Sequence, residues 1–236
     1  MKSLYIFFVR LLRVPLKVLG LLALMQQWGQ TSRFFRWFRS LFAIYDIDDL
    51  VKLDLPWWTL AATDYVDGFL ANKPTARVFE YGSGASSFWL LKRGANVTSV
   101  EHDENWFEEV AGRAADHANI EINHIAPARP EEGQSSSEFL SGREGYAGMS
   151  FEAYVRSVEV GGPYDLIIID GRARSACLKA GLAQRAAGGI ILFDNAGRDR
   201  YQPAIEAAGL TCTKFTGLTA CLPYPDATYI LSGGPL

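Results

Sequence analysis

The chain of 236 residues predicts an open α/β sheet of seven strands, mostly parallel, with helices on both faces and an antiparallel hairpin at one end. Three observations carry that expectation. From residue 76 onward, short β-branched or apolar segments alternate with helix-like ones, the rhythm of right-handed strand–helix–strand crossovers. The first apolar run, "RVFEY", leads straight into Gly82 and Gly84, as at a tight strand-to-helix turn. The last two strand-like segments are separated only by "GLTACLPYPD", too short for a crossover helix, so they pair antiparallel.

The chain begins with a segment of different character. Residues 1–45 hold seven of the 23 Lys and Arg and none of the 26 Asp and Glu, although the net charge is −3. In "SLYIFFVRLLRVPLKVLGLLALM", Arg10, Arg13 and Lys17 fall on one helical face. They also interrupt the run before it reaches the ~20 apolar residues a membrane span needs. Pro15 is expected to kink or divide this helix. "RFFRWFRSLF" then repeats Arg every third residue between aromatics. A basic stripe with an apolar body describes an arm lying in the plane of an anionic membrane, or one packed on its own domain with its bases solvated. The first alternative makes the protein cytoplasmic and peripherally membrane-associated. The arm is too apolar for a nucleic-acid tail, and no nucleic-acid partner is expected. Cys177, Cys212 and Cys221 form no Cys-x-x-Cys pair and are expected as reduced, packed thiols.

Residues 46–75 form a helical connector, with Pro56 in the first turn of a helix to about Leu70 and Pro74 ending it. Trp57 and Trp58 are candidates for stacking on a sugar, covering a cofactor or packing. The domain at 76–236 has expected strands at 77–81, 97–101, 119–125, 164–170, 189–194, 210–216 and 227–232. Helices are expected at 85–93, 104–117, 173–186 and 198–208. Residues 126–160, rich in Glu, Ser and Gly, break the rhythm as an insertion suited to a lid or substrate loop, closed by a short helix at "SFEAYVRSV".

In such a sheet, ligands bind beyond the carboxyl ends of the strands. Glu80 ends the first strand before the glycine turn, and Glu101 ends the second. A dinucleotide site uses G-x-G-x-x-G to receive a pyrophosphate; here Ser87 stands at the third glycine position and an acid precedes the first. A carboxylate repels pyrophosphate and suits a cationic amino group, while an acid ending strand two accepts ribose hydroxyls. A ligand with ribose and ammonium but no phosphate is S-adenosylmethionine (SAM).

The E-x-G-x-G at 80–84, with Glu101 in register, resembles the Rossmann-like class I SAM-dependent methyltransferases over roughly residues 76–232. The resemblance implies that Glu80, Tyr81, Gly82, Ser83 and Gly84 face the methionine part, that Glu101 takes the ribose and that His102 flanks the adenine, with Asp170 also beside the cofactor. Asp170 after strand four and Asp194-Asn195 after strand five are similar to the constellation with which catechol-type and caffeoyl-CoA-type O-methyltransferases hold a divalent metal. That implies Mg²⁺ on Asp170, Asp194 and Asn195, lowering a hydroxyl's pKa. This sequence departs from the pattern: "GRAR" stands where those enzymes carry a basic lysine, and arginine is a poor proton acceptor. Asp170 is then a base in its own right, without metal, and Arg172 and Arg174 can fork onto an anion. Asp194-Asn195 as a mere helix cap, and His102 or His124 as the base, are the remaining alternatives. Arg172, Arg174, Arg198 and Arg200 favour an anionic acceptor.

These residues predict a SAM-dependent methyltransferase acting on a hydroxyl of a glycan or lipid-linked acceptor near a membrane surface. A small aromatic hydroxyl is the alternative acceptor. A membrane-associated scaffold that keeps the fold without turnover, and an NAD-dependent oxidoreductase, are the competing classes.

Overall fold

The computed structural model describes residues 2–130 and 136–233. The centre of the 126–160 insertion, at 131–135, lies outside the described residues, as do residue 1 and 234–236 at the chain ends.

Seven strands form one sheet in the order β3-β2-β1-β4-β5-β7-β6. They are β1 (Arg77–Tyr81), β2 (Asn96–Glu101), β3 (Ile120–His124), β4 (Tyr164–Ile169), β5 (Arg185–Asp194), β6 (Thr211–Gly217) and β7 (Asp226–Ser232). All neighbours from β3 across to β5 pair parallel; β7 inserts between β5 and β6 and pairs antiparallel to both. The expected Rossmann-like sheet and its terminal hairpin are both present. β1 and β4 lie at the centre because "VFEY" and "LIII" have no solvent-facing side, as a strand covered on both faces requires.

The pleat divides the core by sequence parity. Phe79, Tyr81, Ile167, Ile169 and Phe193 point to one face, against Tyr154 of α8 (Glu152–Arg156) and Cys177 and Leu178 of α9 (Arg174–Ala183). Val78, Leu166, Ile168 and Leu192 point to the other. There they meet Val66 and Leu70 of α5 (Leu60–Ala71) and Trp89 and Leu90 of α6 (Ala85–Leu91), with Trp58 beside them. The remaining helices of the domain are α7 (Glu104–Ala114) and α10 (Gln202–Ala207).

Several boundaries differ from expectation. The connector holds two helices, α4 (Ile47–Leu53) and α5, and Pro56 lies between them. Asp46 Oδ1 accepts the Asp49 N–H at 2.8 Å and so starts α4, while Thr59 Oγ1 accepts from Ala62 N and starts α5 at Leu60. Side-chain caps, not the proline, set both starts. α1 (Lys2–Val18) runs through Pro15 and is followed by a turn at Gly20, whose φ of 71° only glycine adopts readily. β5 begins at Arg185, before the glycine pair, with a register shift against β4.

The arm is stitched onto the domain. α1 and α2 (Leu21–Gly29) contribute Val9 and Leu22, and α3 (Arg33–Ser40) packs Trp37 and Phe38, onto a cluster shared with Leu50, Leu55 and Leu60, and with Ala85 and Cys221 of the domain. Arg39 forks onto Asp49 at 2.6 and 3.0 Å with both side chains buried. Arg13 reaches Asp46 and Asp49 at 2.5 and 3.0 Å, and Arg33 and Arg36 both hold Asp64. Trp37 Nε1 donates to Leu222 O at 2.8 Å, and Ser40 Oγ accepts from Cys221 N at 3.0 Å. The arm thereby fixes the loop between β6 and β7.

Candidate active site

A pocket of about 570 Å³ opens at the carboxyl ends of the central strands, within the size range of small-molecule sites. Its floor is the turn Gly82–Gly84, the end of β2 and the segments that follow β4 and β5. Tyr45, Asp46 and Leu50, with Trp57, Leu222 and Tyr224, form the opposite wall.

The glycine turn is held from three sides. Gly82 has φ 95°, and a Cβ there would stand 3.2 Å from the Gly171 backbone. Trp106 Nε1 donates to Ser83 O at 2.8 Å. Gly84 N donates to Ser87 Oγ at 3.1 Å. Ser83 Oγ is left buried in the pocket wall with no hydrogen-bond partner among the described residues.

The two glutamates have different fates. Glu80 is fully buried on the α6 side of the sheet and does not line the pocket. Its oxygens accept from three hydroxyls: Ser86 and Ser99, and Ser87 at 2.5 Å. Burial raises its pKa. The expectation that Glu80 faces the methionine part is therefore corrected, because the even-numbered side of β1 points under α6. Tyr81 is corrected for the opposite parity: it is buried on the α8 side, where its hydroxyl donates to Val155 O at 2.6 Å. Glu101, by contrast, lines the pocket. Its Oε1 accepts from the backbone N–H groups of His102 and Asp103 at 2.7 and 2.9 Å. No hydrogen bond from a described residue reaches Oε2.

His102 also lines the pocket, with Tyr146 and Phe151 of the insertion at ring distances of 5.2 and 5.7 Å. Arg172 Nε donates to His102 Nε2 at 3.1 Å, so Nδ1 carries the ring proton, 2.6 Å from Glu101 Oε1. Nε2 is thus engaged by Arg172, whereas Nδ1 is buried without a hydrogen-bond partner among the described residues. His124 stacks on Phe107 and turns Nε2 toward His102 O, outside the pocket.

Asp170, Asp194 and Asn195 all line the pocket, as expected of the ends of β4 and β5. Between the two acids lies the guanidinium of Arg174, only 7 % exposed. Its Nη2 donates to Asp170 Oδ1 at 2.8 Å and to Asp170 O at 3.0 Å, and its Nη1 to Asp194 O. Asp194 accepts further from Thr228 Oγ1 at 2.7 Å and Asn195 Nδ2 at 2.9 Å, and Asn195 Nδ2 also donates to Asp226. Burial pushes Asp170 up to about 6 against the pull of Arg174. Burial and the neighbouring Asp170 hold Asp194 well above the usual carboxylate range.

This donor set does not fit Mg²⁺. A buried, permanently charged guanidinium is already ion-paired with the Asp170 carboxylate at 2.8 Å, and the Asn195 amide turns its N–H side toward both Asp194 and Asp226. Among the described residues no group of three His, Cys, Asp or Glu side chains is placed to hold a metal ion. Arg174 is likewise corrected from a catalytic to a positioning residue, since it lies behind Asp170 and not in the pocket wall. Of the four arginines past β4 and β5, Arg172 and Arg198 line the pocket, whereas Arg200 turns onto the Tyr201 ring.

Trp106, Tyr224 and Asp226 line the pocket without having been expected there. Only Trp106 left a trace in the sequence, three residues after the helix-starting Asp103 whose carboxylate accepts its N–H.

The structure is similar to solved structures that share this fold. One is the O-methyltransferase TomG from Streptomyces achromogenes, involved in tomaymycin synthesis and solved in complex with SAM. It is 17 % identical, with 84 % of this chain and 90 % of that chain covered and a TM-score of 0.53. Another is cofactor-bound Rv0187 from MTB, at 16 % identity, with 80 % and 88 % covered and a TM-score of 0.53. No protein-family model matches the sequence, and no curated protein does.

Proposed function

We propose that this chain, whose fold is that of the class I SAM-dependent methyltransferases, transfers a methyl group from SAM to a hydroxyl of an anionic glycan or lipid-linked acceptor, without a metal. The observation that carries the proposal is Glu101. It lines the pocket at the end of β2 with Oε1 tied to the backbone, which leaves Oε2 as the acceptor for ribose hydroxyls. The buried, unpartnered Ser83 Oγ and the close glycine turn fit the amino-acid end of the same ligand. His102, which lines the pocket and is backed by the Tyr146 and Phe151 rings, offers an aromatic face for its base. When bound, SAM supplies an electrophilic methyl group on a sulfonium.

The protein's own contribution is positioning and one proton transfer. Asp170, 28 % exposed at the pocket floor, accepts the proton of the acceptor hydroxyl as its oxygen attacks. Its pKa of about 6 leaves it ionised at neutral pH yet basic enough to act. Arg174 fixes the carboxylate's orientation. Arg172 and Arg198 give the acceptor's anionic group two guanidinium partners, and Trp57 gives a sugar ring a stacking face. That pairing of cations with an indole favours an acidic sugar or phosphosugar over a small neutral aromatic hydroxyl.

The test is calorimetric titration of SAM and S-adenosylhomocysteine into the wild type and Glu101→Ala, with Mg²⁺ and with EDTA. The expected result is micromolar binding, indifferent to metal and weakened about tenfold by Glu101→Ala, about 1.4 kcal/mol. Absence of binding by well-folded protein overturns the proposal in favour of a scaffold that keeps only the fold.

A further inference from the structure

The buried face of α1 does not use the helix's apolar residues in full. At about 100° per residue, Tyr5, Ile6, Val9, Arg13 and Leu16 fall on one side, and these are the residues turned toward the protein. The opposite side carries Phe7, Phe8, Leu11, Leu12, Val14 and Val18, all more than half exposed, with Val18 at 81 %. Leu24 and Trp28 of α2 and Phe34 of α3 add to the exposed apolar residues of the arm. An outward apolar face of this breadth is not accounted for by the folded chain.

We infer that this face of α1 docks on an anionic lipid bilayer, lying in its plane. Charge complementarity selects the occupant. Arg10 and Lys17 are exposed along one edge of the face and have no acidic partner among the described residues, and residues 1–45 contain no Asp or Glu. On α1 the paired base, Arg13, lies on the inner side; in α3, Arg36 and Arg39 pair inward while the exposed Arg33 also reaches Asp64. So α1 pairs its inward cation and leaves the outward Arg10 and Lys17 beside exposed leucines and phenylalanines, the composition of an interfacial helix. A second copy is a poorer occupant: a two-fold contact would bring two acid-free surfaces together. No helix among the described residues is long and apolar enough to cross a membrane. Docking would set the pocket near the bilayer, because the arm is pinned to Asp46 and Leu222, which line the pocket. Only this last consequence rests on the methyltransferase proposal.

The experiment is co-sedimentation of the full chain with vesicles of phosphatidylcholine, with and without phosphatidylglycerol, alongside SAM calorimetry and light scattering on the same preparations. The wild type is expected to pellet with the anionic vesicles and to be released by salt. Arg10→Glu with Lys17→Glu should lower the partition about tenfold or more. Phe8→Gln with Leu11→Gln and Leu12→Gln, all exposed positions, should abolish it while circular dichroism stays unchanged. A folded wild type that ignores vesicles, or a triple variant that still pellets, overturns the inference. So does a wild-type dimer that the triple variant turns into monomers without any vesicle binding. Vesicle binding without SAM binding leaves the dock standing and removes the methyltransferase proposal; SAM binding without vesicle binding does the reverse.

Discussion

Asp170 is the residue on which the proposed chemistry turns, and its environment makes the expectation specific. Asp170→Asn should lower kcat by about 10² to 10⁴ while leaving the SAM affinity near that of the wild type, measured by single-turnover kinetics and calorimetry. In the wild type, kcat should rise as pH passes through about 6, the raised pKa of this acid, and the Asn variant should lose that limb. The same shift has a stability consequence with a fixed sign. A raised carboxyl pKa means that the native state holds the proton longer than the unfolded chain, so the native state is favoured at low pH. Relative to Asp170→Asn, the wild type should therefore lose stability as pH rises from about 3.8 to about 6, read by urea titrations at several pH values. Arg174 explains why the acid tolerates burial at all. Arg174→Met leaves Asp170 and Asp194 facing each other uncompensated and should cost about 3–5 kcal/mol, while also moving the kinetic pKa upward. A purely structural arginine would give only the first effect. Glu101 and Glu80 show the limit of reading single residues: each ends a strand beside a turn, yet only one reaches the ligand pocket.

Strands and helices decide such cases through parity and packing. Glu80 points under α6 because position 80 lies on the same side of β1 as Val78, and the three serines that meet it are spaced along α6 and β2. The segment after β4 is fixed by a close contact. A Cβ on Gly171 would stand 1.9 Å from the Tyr154 hydroxyl, whose ring is buried beneath it. Gly171→Ala should cost about 1–3 kcal/mol in denaturant titrations, and Tyr154→Phe in the same chain should recover part of the loss by removing the nearest atom. The arm is an equally specific case. The buried pair of Arg39 with Asp49 joins α3 to α4, so Asp49→Ala strands a buried guanidinium and should cost about 3–5 kcal/mol. Because α3 also holds the loop carrying Leu222 and Tyr224, that variant should weaken SAM binding as well, though Asp49 itself is not in the pocket wall.

Taken together, the seven strands, their parallel pairing and the closing hairpin were legible because each rests on local pattern: apolar runs of strand length, glycine turns and connection lengths. The ends of β1, β2, β4 and β5 were legible for the same reason, and they brought Gly82, Glu101, Asp170 and Asp194 to one edge. The sequence by itself determined this sheet, its ligand-binding edge and the acid-free character of residues 1–45. Tertiary structure alone decided which acids face the pocket, that a guanidinium lies between Asp170 and Asp194, and which side of α1 is left outward. These depend on contacts between residues far apart in the chain, such as Arg13 with Asp46 and Trp37 with Leu222, and on strand parity seen from a neighbouring helix. Local periodicity tells that a helix has an apolar face; only the packed neighbours determine whether that face is spent on the core.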